Sequence, residues 1–242
     1  MGKIERIKLM HAGKANNVYY TNDLDILELE ASDRISAGNG EKKDNIEGKG
    51  EINNAISIML FKLLEKNGIA THFVSEGSNA ASKYVKRLDM IPLEVINRRE
   101  TAGSFCKRYG CKPGIKIEPS LVEFCIKDDA LGDPFVTDPR AIITGIFDIA
   151  TEEEIQYMID TTKKVSDIMN DFFTSIGVHL IDFKIEFGRD KDGKILLGDE
   201  ISPDTCRLVD IETGQKLDKD VFRNNMGDVK ATYEAALKKI VG

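Results

Sequence analysis

The stretch from Ile181 to Asp210, IDFKIEFGRDKDGKILLGDEISPDTCRLVD, constrains the fold more than any other part of the chain. Asp182, Lys184 and Glu186 alternate with Ile181, Phe183, Ile185 and Phe187. Successive side chains of a strand point to opposite faces, so the charged three share one side and the apolar four face a core. Asp192-Gly193 predicts a two-residue hairpin turn, because glycine tolerates the positive φ that a type I′ turn needs. On that register Glu186 lies opposite Asp199, Lys184 opposite Ile201, and Asp182 near Pro203. Two carboxylates facing each other across a ladder repel, so the arrangement calls for a positive partner. Mg²⁺ bridging carboxylates and phosphate oxygens is one such partner. The other reading is a solvated hairpin face with Lys184 screening its neighbours. The hairpin alone leaves both open.

At 242 residues the chain is long enough for one large domain or two lobes. Its 41% hydrophobic and 31% charged residues are those of an ordinary soluble protein. No apolar run is long enough to span a bilayer, and MGKIERIKLM lacks a signal-peptide core, so a cytoplasmic protein with no membrane partner is expected. Cys106, Cys111, Cys125 and Cys206 show no CxxC spacing and His11, His72 and His179 are scattered, which argues against zinc. A net charge of −7 argues against a nucleic-acid surface. An anionic ligand must then be gripped by local clusters of Lys and Arg.

Short strands are predicted around Ile4 to Met10, Asn17 to Thr21 and Ile26 to Glu30, then a polar stretch from Ser36 to Gly50. The stripe Ile52, Ala55, Ile56, Met59, Leu60, Leu63 and Leu64 predicts a helix that stops at Gly68. Thr71 to Val74, Ala81 to Leu88 and Ile91 to Arg99 read as further strands, giving an α+β lobe over residues 1–97 with a mainly antiparallel sheet. A second lobe, 98–242, opens with a short helix from Ala102 to Tyr109 and a strand from Leu121 to Ile126. Its long helix starts at a Thr151/Glu154 capping box, carries Ile155, Met158, Ile159, Val165, Ile168, Met169, Phe172 and Ile176 on its buried stripe, and ends at Gly177. A last helix is predicted from Asp220 to Val241.

Four other segments carry chemistry. Gly13-Lys14 in a hairpin turn brings amides and an ammonium to phosphates, although the P-loop pattern is absent and such turns are most often only turns. VINRRETAGSFCKRYG, residues 95 to 110, sets Arg98, Arg99, Lys107 and Arg108 beside the small-residue corner Thr101-Ala102-Gly103-Ser104. That suits a phosphate or carboxylate, or is merely a basic solvated helix. KDDALGDP, residues 127 to 134, groups Lys127, Asp128, Asp129 and Asp133 in what is either a functional loop or an Asp-rich turn. SPDTCR offers Asp204 and Arg207, and LDKDVFR offers Lys219, Asp220 and Arg223, unless the latter is a helix cap with surface charges. Taken together they describe a cleft with carboxylates for metal and cations for anions, which ATP-dependent chemistry requires.

The chain closely resembles the SAICAR synthetase family, nearly end to end. The resemblance rests on GKANNVY, SAGNG with GKGEINN, VKRLDMIPLEV, NRRETAGS, KDDALGDP, DFKIEFG, LLGDEISPD and LDKDVFR, in the family's order. It implies a two-lobed, kinase-like or ATP-grasp-like fold with ATP between the lobes. It implies a ligase joining L-aspartate to the carboxylate of the aminoimidazole ribonucleotide CAIR, giving SAICAR, ADP and phosphate with Mg²⁺ as cofactor, in a homodimer. By the same resemblance Gly13, Lys14 and Ala15 match the phosphate-covering loop, and Lys86 to Met90, including Leu88, the strand and hinge beside adenine. Arg98 and Ser104 match the CAIR phosphate and ribose site, with Arg207 also placed for that nucleotide. Lys127 would neutralise phosphates, and Asp133 would lie near the reacting carboxylate. Glu186 and Asp199 match the Mg²⁺ carboxylates, with Asp182 and Lys184 on the same face. Lys219 and Arg223 match a basic segment of the substrate pocket, and Ser36 sits in the substrate-side SAG loop. The chain departs from the pattern at Asn16, where many members carry a second lysine, and at Asn39, where many carry Asp. A kinase-like phosphotransferase and a catalytically dead nucleotide-binding regulator are the competing readings.

Overall fold

The computed structural model describes residues 3–38 and 40–242, so the Asn39 departure lies outside the described residues. Three antiparallel strands open the chain, β1 (Arg6–Ala12), β2 (Asn16–Thr21) and β3 (Ile26–Ala31), followed by the small hairpin β4 (Arg34–Ala37) and β5 (Lys42–Asn45). The hairpin's second strand lies within the polar stretch from Ser36 to Gly50, where KKDN carries no apolar alternation to announce a strand. Helix α1 (Lys49–Lys66) follows, then β6 (Phe73–Glu76) and β7 (Ser82–Lys86), which complete a sheet ordered β1-β2-β3-β7-β6.

Short β8 (Asp89–Met90) leads to β9 (Leu93–Glu100), α2 (Gly103–Tyr109) and β10 (Lys116–Ile126). A wide helical turn, Arg140–Ile146, precedes the long α3 (Glu152–Ser175), whose start is the expected capping box: Glu154 N–H donates to Thr151 Oγ1 and Thr151 N–H to Glu154 Oε2. Next come β11 (Val178–Arg189), β12 (Ile195–Gly198), β13 (Cys206–Asp210), α4 (Asp220–Arg223) and α5 (Val229–Ile240). The single helix expected from Asp220 to Val241 is therefore two. Asn225 and Gly227 take positive φ, and Asp228 caps α5 by accepting from Ala231 N–H.

Strand β11 is the spine of the second sheet. Its first half pairs with β13 and its end with β12 on one side, while β9 and β8 pair on the other. Strand β9 runs through the expected 97/98 boundary and pairs on both sides within this sheet.

The hairpin register differs from the sequence reading. Glu186 pairs with Gly198 and Arg189 with Ile195, not Glu186 with Asp199. The turn is one residue longer than Asp-Gly implies: Asp190 N–H donates to Lys194 C=O, and Asp190 Oδ1 accepts from the amides of Asp192 and Lys194. Gly193, at φ 79, fills the left-handed position of a three-residue loop. Beyond Gly198 the chain leaves β11 and returns at Thr205, whose C=O accepts from Lys184 N–H, so Lys184 does not face Ile201 and Asp182 pairs with Arg207 rather than lying near Pro203. A bulge between Leu180 and Asp182 turns Ile181 out of the core, and Leu180 is buried there with Phe183, Ile185 and Phe187.

One continuous core runs from α1 through the second sheet to α3 and α5, with Ile56, Phe61, Met158, Val165, Phe173, Ile185 and Tyr233 fully enclosed. A separate small cluster, Leu27, Leu29 and Val85 with Val18 and Tyr20 against it, sits on the first sheet. Because α1 packs against both the first sheet and α5, it ties the two halves together.

Candidate active site

Between the two sheets lies a cleft of about 890 Å³. Its walls include Gly13, Lys14 and Ala15 from the β1–β2 turn; Ser36 from β4; Lys86 and Leu88; Arg98 and Ser104; Lys127 and Asp133; Asp182, Lys184 and Glu186 from β11; and Asp199, Arg207, Lys219 and Arg223, whereas Arg99, Lys107, Arg108, Asp128 and Asp220 from the same segments do not line it. Val18, Leu27, Leu29 and Val85 give it an apolar side from the first sheet, and Met90, Ile96 and Phe183 line it from the second. An apolar slot beside a charged chamber suits a ligand with a flat ring and an anionic tail.

The charged chamber has two ends. At the first, Lys184 Nζ donates to Glu186 Oε1 at 2.6 Å and Asp199 Oδ2 at 3.1 Å, with Glu94 Oε1 at 3.8 Å. Lys127 Nζ holds the other oxygen of Glu186 at 2.6 Å. The positive partner demanded by the carboxylates is thus Lys184 itself. Glu186 and Asp182 are only 2% and 4% exposed, which rules out a solvated charged face. Burial alone would lower the Lys184 pKa, but Glu186, Asp199 and Glu94 outweigh it and hold the ammonium well above its usual value. Burial pushes Asp199 up, and Lys184 and Lys127 more than reverse this, leaving it below the usual carboxylate value.

Glu186 and Asp199 offer hard oxygen donors that suit Mg²⁺. Among the described residues no group of three or more His, Cys, Asp or Glu is placed to hold a metal ion. The pair fits an ion that takes its remaining ligands from phosphate and water, as Mg²⁺ does. Asp199 lies just past the end of β12 at φ 55, a left-handed conformation that Asp and Asn tolerate better than most residues.

At the other end, charges alternate in a chain. Arg98, 1% exposed, donates to Glu123 and, at 3.0 Å, to Asp182 Oδ2, with Ser104 Oγ 3.3 Å away. Arg207 donates to the same Asp182 oxygen at 2.7 Å and to Asp220 at 2.9 Å, and Asp220 also accepts from Arg223 at 2.8 Å. Burial lowers the Arg207 pKa, but Asp182 and Asp220 raise it beyond its ordinary value. Gly103, at φ 50, lies against this guanidinium, and a Cβ there would sit 2.3 Å from an Arg207 nitrogen. The small-residue corner in NRRETAGS is therefore what lets Arg207 through. Burial lowers the Lys219 pKa against the pull of Asp204, so its charge is costly where it stands.

Asp133 turns one oxygen onto the amide of Asp128 at 3.0 Å, shaping its own loop. Lys14 reaches Asp129 of that loop across the cleft mouth, and Arg34 holds the Gly13 carbonyl at 2.8 Å. Asn16 does not reach the Lys184 cluster; its Nδ2 lies 3.5 Å from buried Glu200, and its Oδ1 has no partner. Sequence reasoning passed over Glu94, Glu200 and Lys49, whose Nζ pairs with Asp204 of SPDTCR at 2.9 Å, and weighed His72 only against zinc. Glu200 alone carried a signal, standing beside Asp199 in LLGDEISPD.

The family model described as SAICAR synthetase matches residues 9–240. The phosphoribosylaminoimidazole-succinocarboxamide synthase of Finegoldia magna is 47% identical over 96% of this chain and 99% of its own length. The crystal structure of the corresponding synthase from Ehrlichia chaffeensis superposes with a TM-score of 0.92 at 37% identity, covering 97% of this chain and 98% of that one. A SAICAR synthetase solved in complex with ADP superposes with a TM-score of 0.89 at 40% identity, over 96% and 97% of the two chains. These likenesses extend over the α+β, antiparallel architecture that the sequence predicts, with its kinase-like and ATP-grasp-like arrangement about a cleft. The chain belongs to the SAICAR synthetase family.

Proposed function

We propose that this protein is an ATP-dependent ligase of de novo purine biosynthesis, joining L-aspartate to the carboxylate of CAIR to give SAICAR, ADP and phosphate. The observation that carries the reading is one cleft holding a carboxylate pair on a shared ammonium at one end and an arginine array at the other. A simple phosphotransferase leaves the arginine end without a use, and a dead regulator has no need of Lys184, Glu186 and Asp199.

In this reading ATP lies with its ring in the apolar slot beside Lys86 and Leu88, under the turn Gly13-Lys14-Ala15. Glu186 and Asp199 hold Mg²⁺, which supplies charge neutralisation for the phosphates. Lys14 and Lys127 add cationic charge where phosphate charge develops, and Lys184 keeps both metal carboxylates in place. Arg98, Ser104, Arg207 and Arg223 take the phosphate and ribose of CAIR, while Asp182 holds Arg98 and Arg207 together. Asp133 faces the reacting carboxylate, and Ser36 and Lys219 complete the substrate pocket. A carboxylate is a poor electrophile. Its oxygen attacks the γ-phosphorus and ADP leaves; the aspartate amine then attacks the acyl carbon of the acyl phosphate, and phosphate departs.

Residues 1–97 act as the ATP-covering lobe and 98–242 as the substrate- and metal-binding lobe, with the handover inside β9. No helix of the described residues is long and apolar enough to cross a membrane. All four cysteines are free, in keeping with a reducing compartment, and the family resemblance supports a cytoplasmic homodimer.

The chemistry is tested by oxygen tracing. With CAIR labelled with ¹⁸O in its carboxylate, the phosphate released is expected to carry one labelled oxygen; unlabelled phosphate would rule out the acyl phosphate.

A further inference from the structure

Asp218 is a buried carboxylate that the reading above leaves without a role. It is 0% exposed and does not line the cleft. Oδ2 accepts from Leu208 N–H at 2.8 Å, and Oδ1 accepts from Asp220 N–H at 2.6 Å. Both amides belong to the surroundings of Arg207. Leu208 follows it on β13, and the Asp220 carboxylate accepts from Arg207 Nε and Arg223 Nη1. A backbone bond from Leu217 N–H to Leu208 C=O at 2.9 Å closes the same seam.

Charge at this place is unfavourable for folding. Burial and the neighbouring Asp220 charge push Asp218 up to about 6, although the amides of Asp220 and Leu208, and then Lys216, favour its charged form. The folded pKa lies above the unfolded value of about 3.9. The native state therefore holds the proton longer, and stability is lost as pH rises through about 6. A side chain needed only to fill the core would not carry that charge.

We infer that Asp218 is a positioning residue for the anion-binding end of the cleft: one carboxylate oxygen fixes the backbone beside Arg207, the other the backbone of its partner Asp220. The Arg207–Asp220–Arg223 array then stands formed before substrate arrives, and binding does not have to order it. This rests on the assignment of that end to CAIR. An asparagine has one acceptor oxygen and turns an NH₂ toward the second amide, so one of the two backbone anchors is lost.

The test compares Asp218→Asn and Asp218→Ala with the wild type at pH 8. Expected is a rise in KM for CAIR of about tenfold in the first, from one lost hydrogen bond and its consequences, and more in the second. KM for ATP and kcat should stay within about twofold in Asp218→Asn, and calorimetric titration with CAIR should show the same weakening without turnover. Unchanged CAIR affinity in folded Asp218→Asn, or lower kcat with both KM values unchanged, would overturn the inference, since a merely structural residue behaves so. A wild-type enzyme that makes no SAICAR would instead contradict the proposed function, and the calorimetric comparison still decides the role of Asp218.

Discussion

Asp199→Asn is expected to lower kcat at least about a hundredfold, the scale of losing one preorganised charge contact to a developing phosphate. Mg-ATP binding should weaken with it. Asparagine is the informative choice because it tolerates the left-handed φ of 55 at this position, so the backbone beyond β12 keeps its course. What is removed is the charge. Lys184, now gripping Asp199 at 3.1 Å and Glu186 at 2.6 Å, is left with Glu186 and the more distant Glu94. Steady-state kinetics with varied Mg²⁺ and ATP, together with a melting curve, checks both halves. Wild-type kinetics in a folded variant would remove Asp199 from the metal site.

Arg98→Ala should raise KM for CAIR by about ten- to a hundredfold, the worth of one charged hydrogen bond, and leave KM for ATP nearly unchanged. The loss of stability should stay below the roughly 3–5 kcal/mol of a buried pair broken outright. The reason is redundancy. Asp182 keeps Arg207 at 2.7 Å, and Glu123 keeps Arg108. Kinetics with each substrate varied in turn, and thermal denaturation, decide the matter. Equal effects on both Michaelis constants would take Arg98 out of the CAIR site.

The elements that sequence disclosed are those governed by local rules. The capping box of α3, the stripe of α1 and the alternation along β11 from Asp182 to Phe187 each follow from periodicity or a cap, and each is present. What sequence could not disclose was decided elsewhere in space or by a competing turn. The Asp190 carboxylate, gathering two amides, favours a three-residue loop over the two-residue turn that Asp-Gly suggests. That one-residue change sets Gly198 opposite Glu186 and leaves Asp199 to follow beyond the strand. The segment that leaves the sheet between β12 and β13 has no apolar signature either, yet it places Asp199, Glu200 and Asp204 along the cleft. The arginine chain needed the fold, because Arg98, Asp182, Arg207 and Asp220 come from β9, β11, β13 and α4. Family motifs named its members; only the structure shows that Asp182 joins two of them.

The most direct test is a reaction with purified protein, ATP, Mg²⁺, CAIR and L-aspartate, following SAICAR, ADP and phosphate, with each component omitted in turn. Equal amounts of the three products, formed only when CAIR, aspartate and ATP are all present, are predicted. ADP accumulating without SAICAR, at the same rate whether or not CAIR and aspartate are supplied, would contradict the ligase.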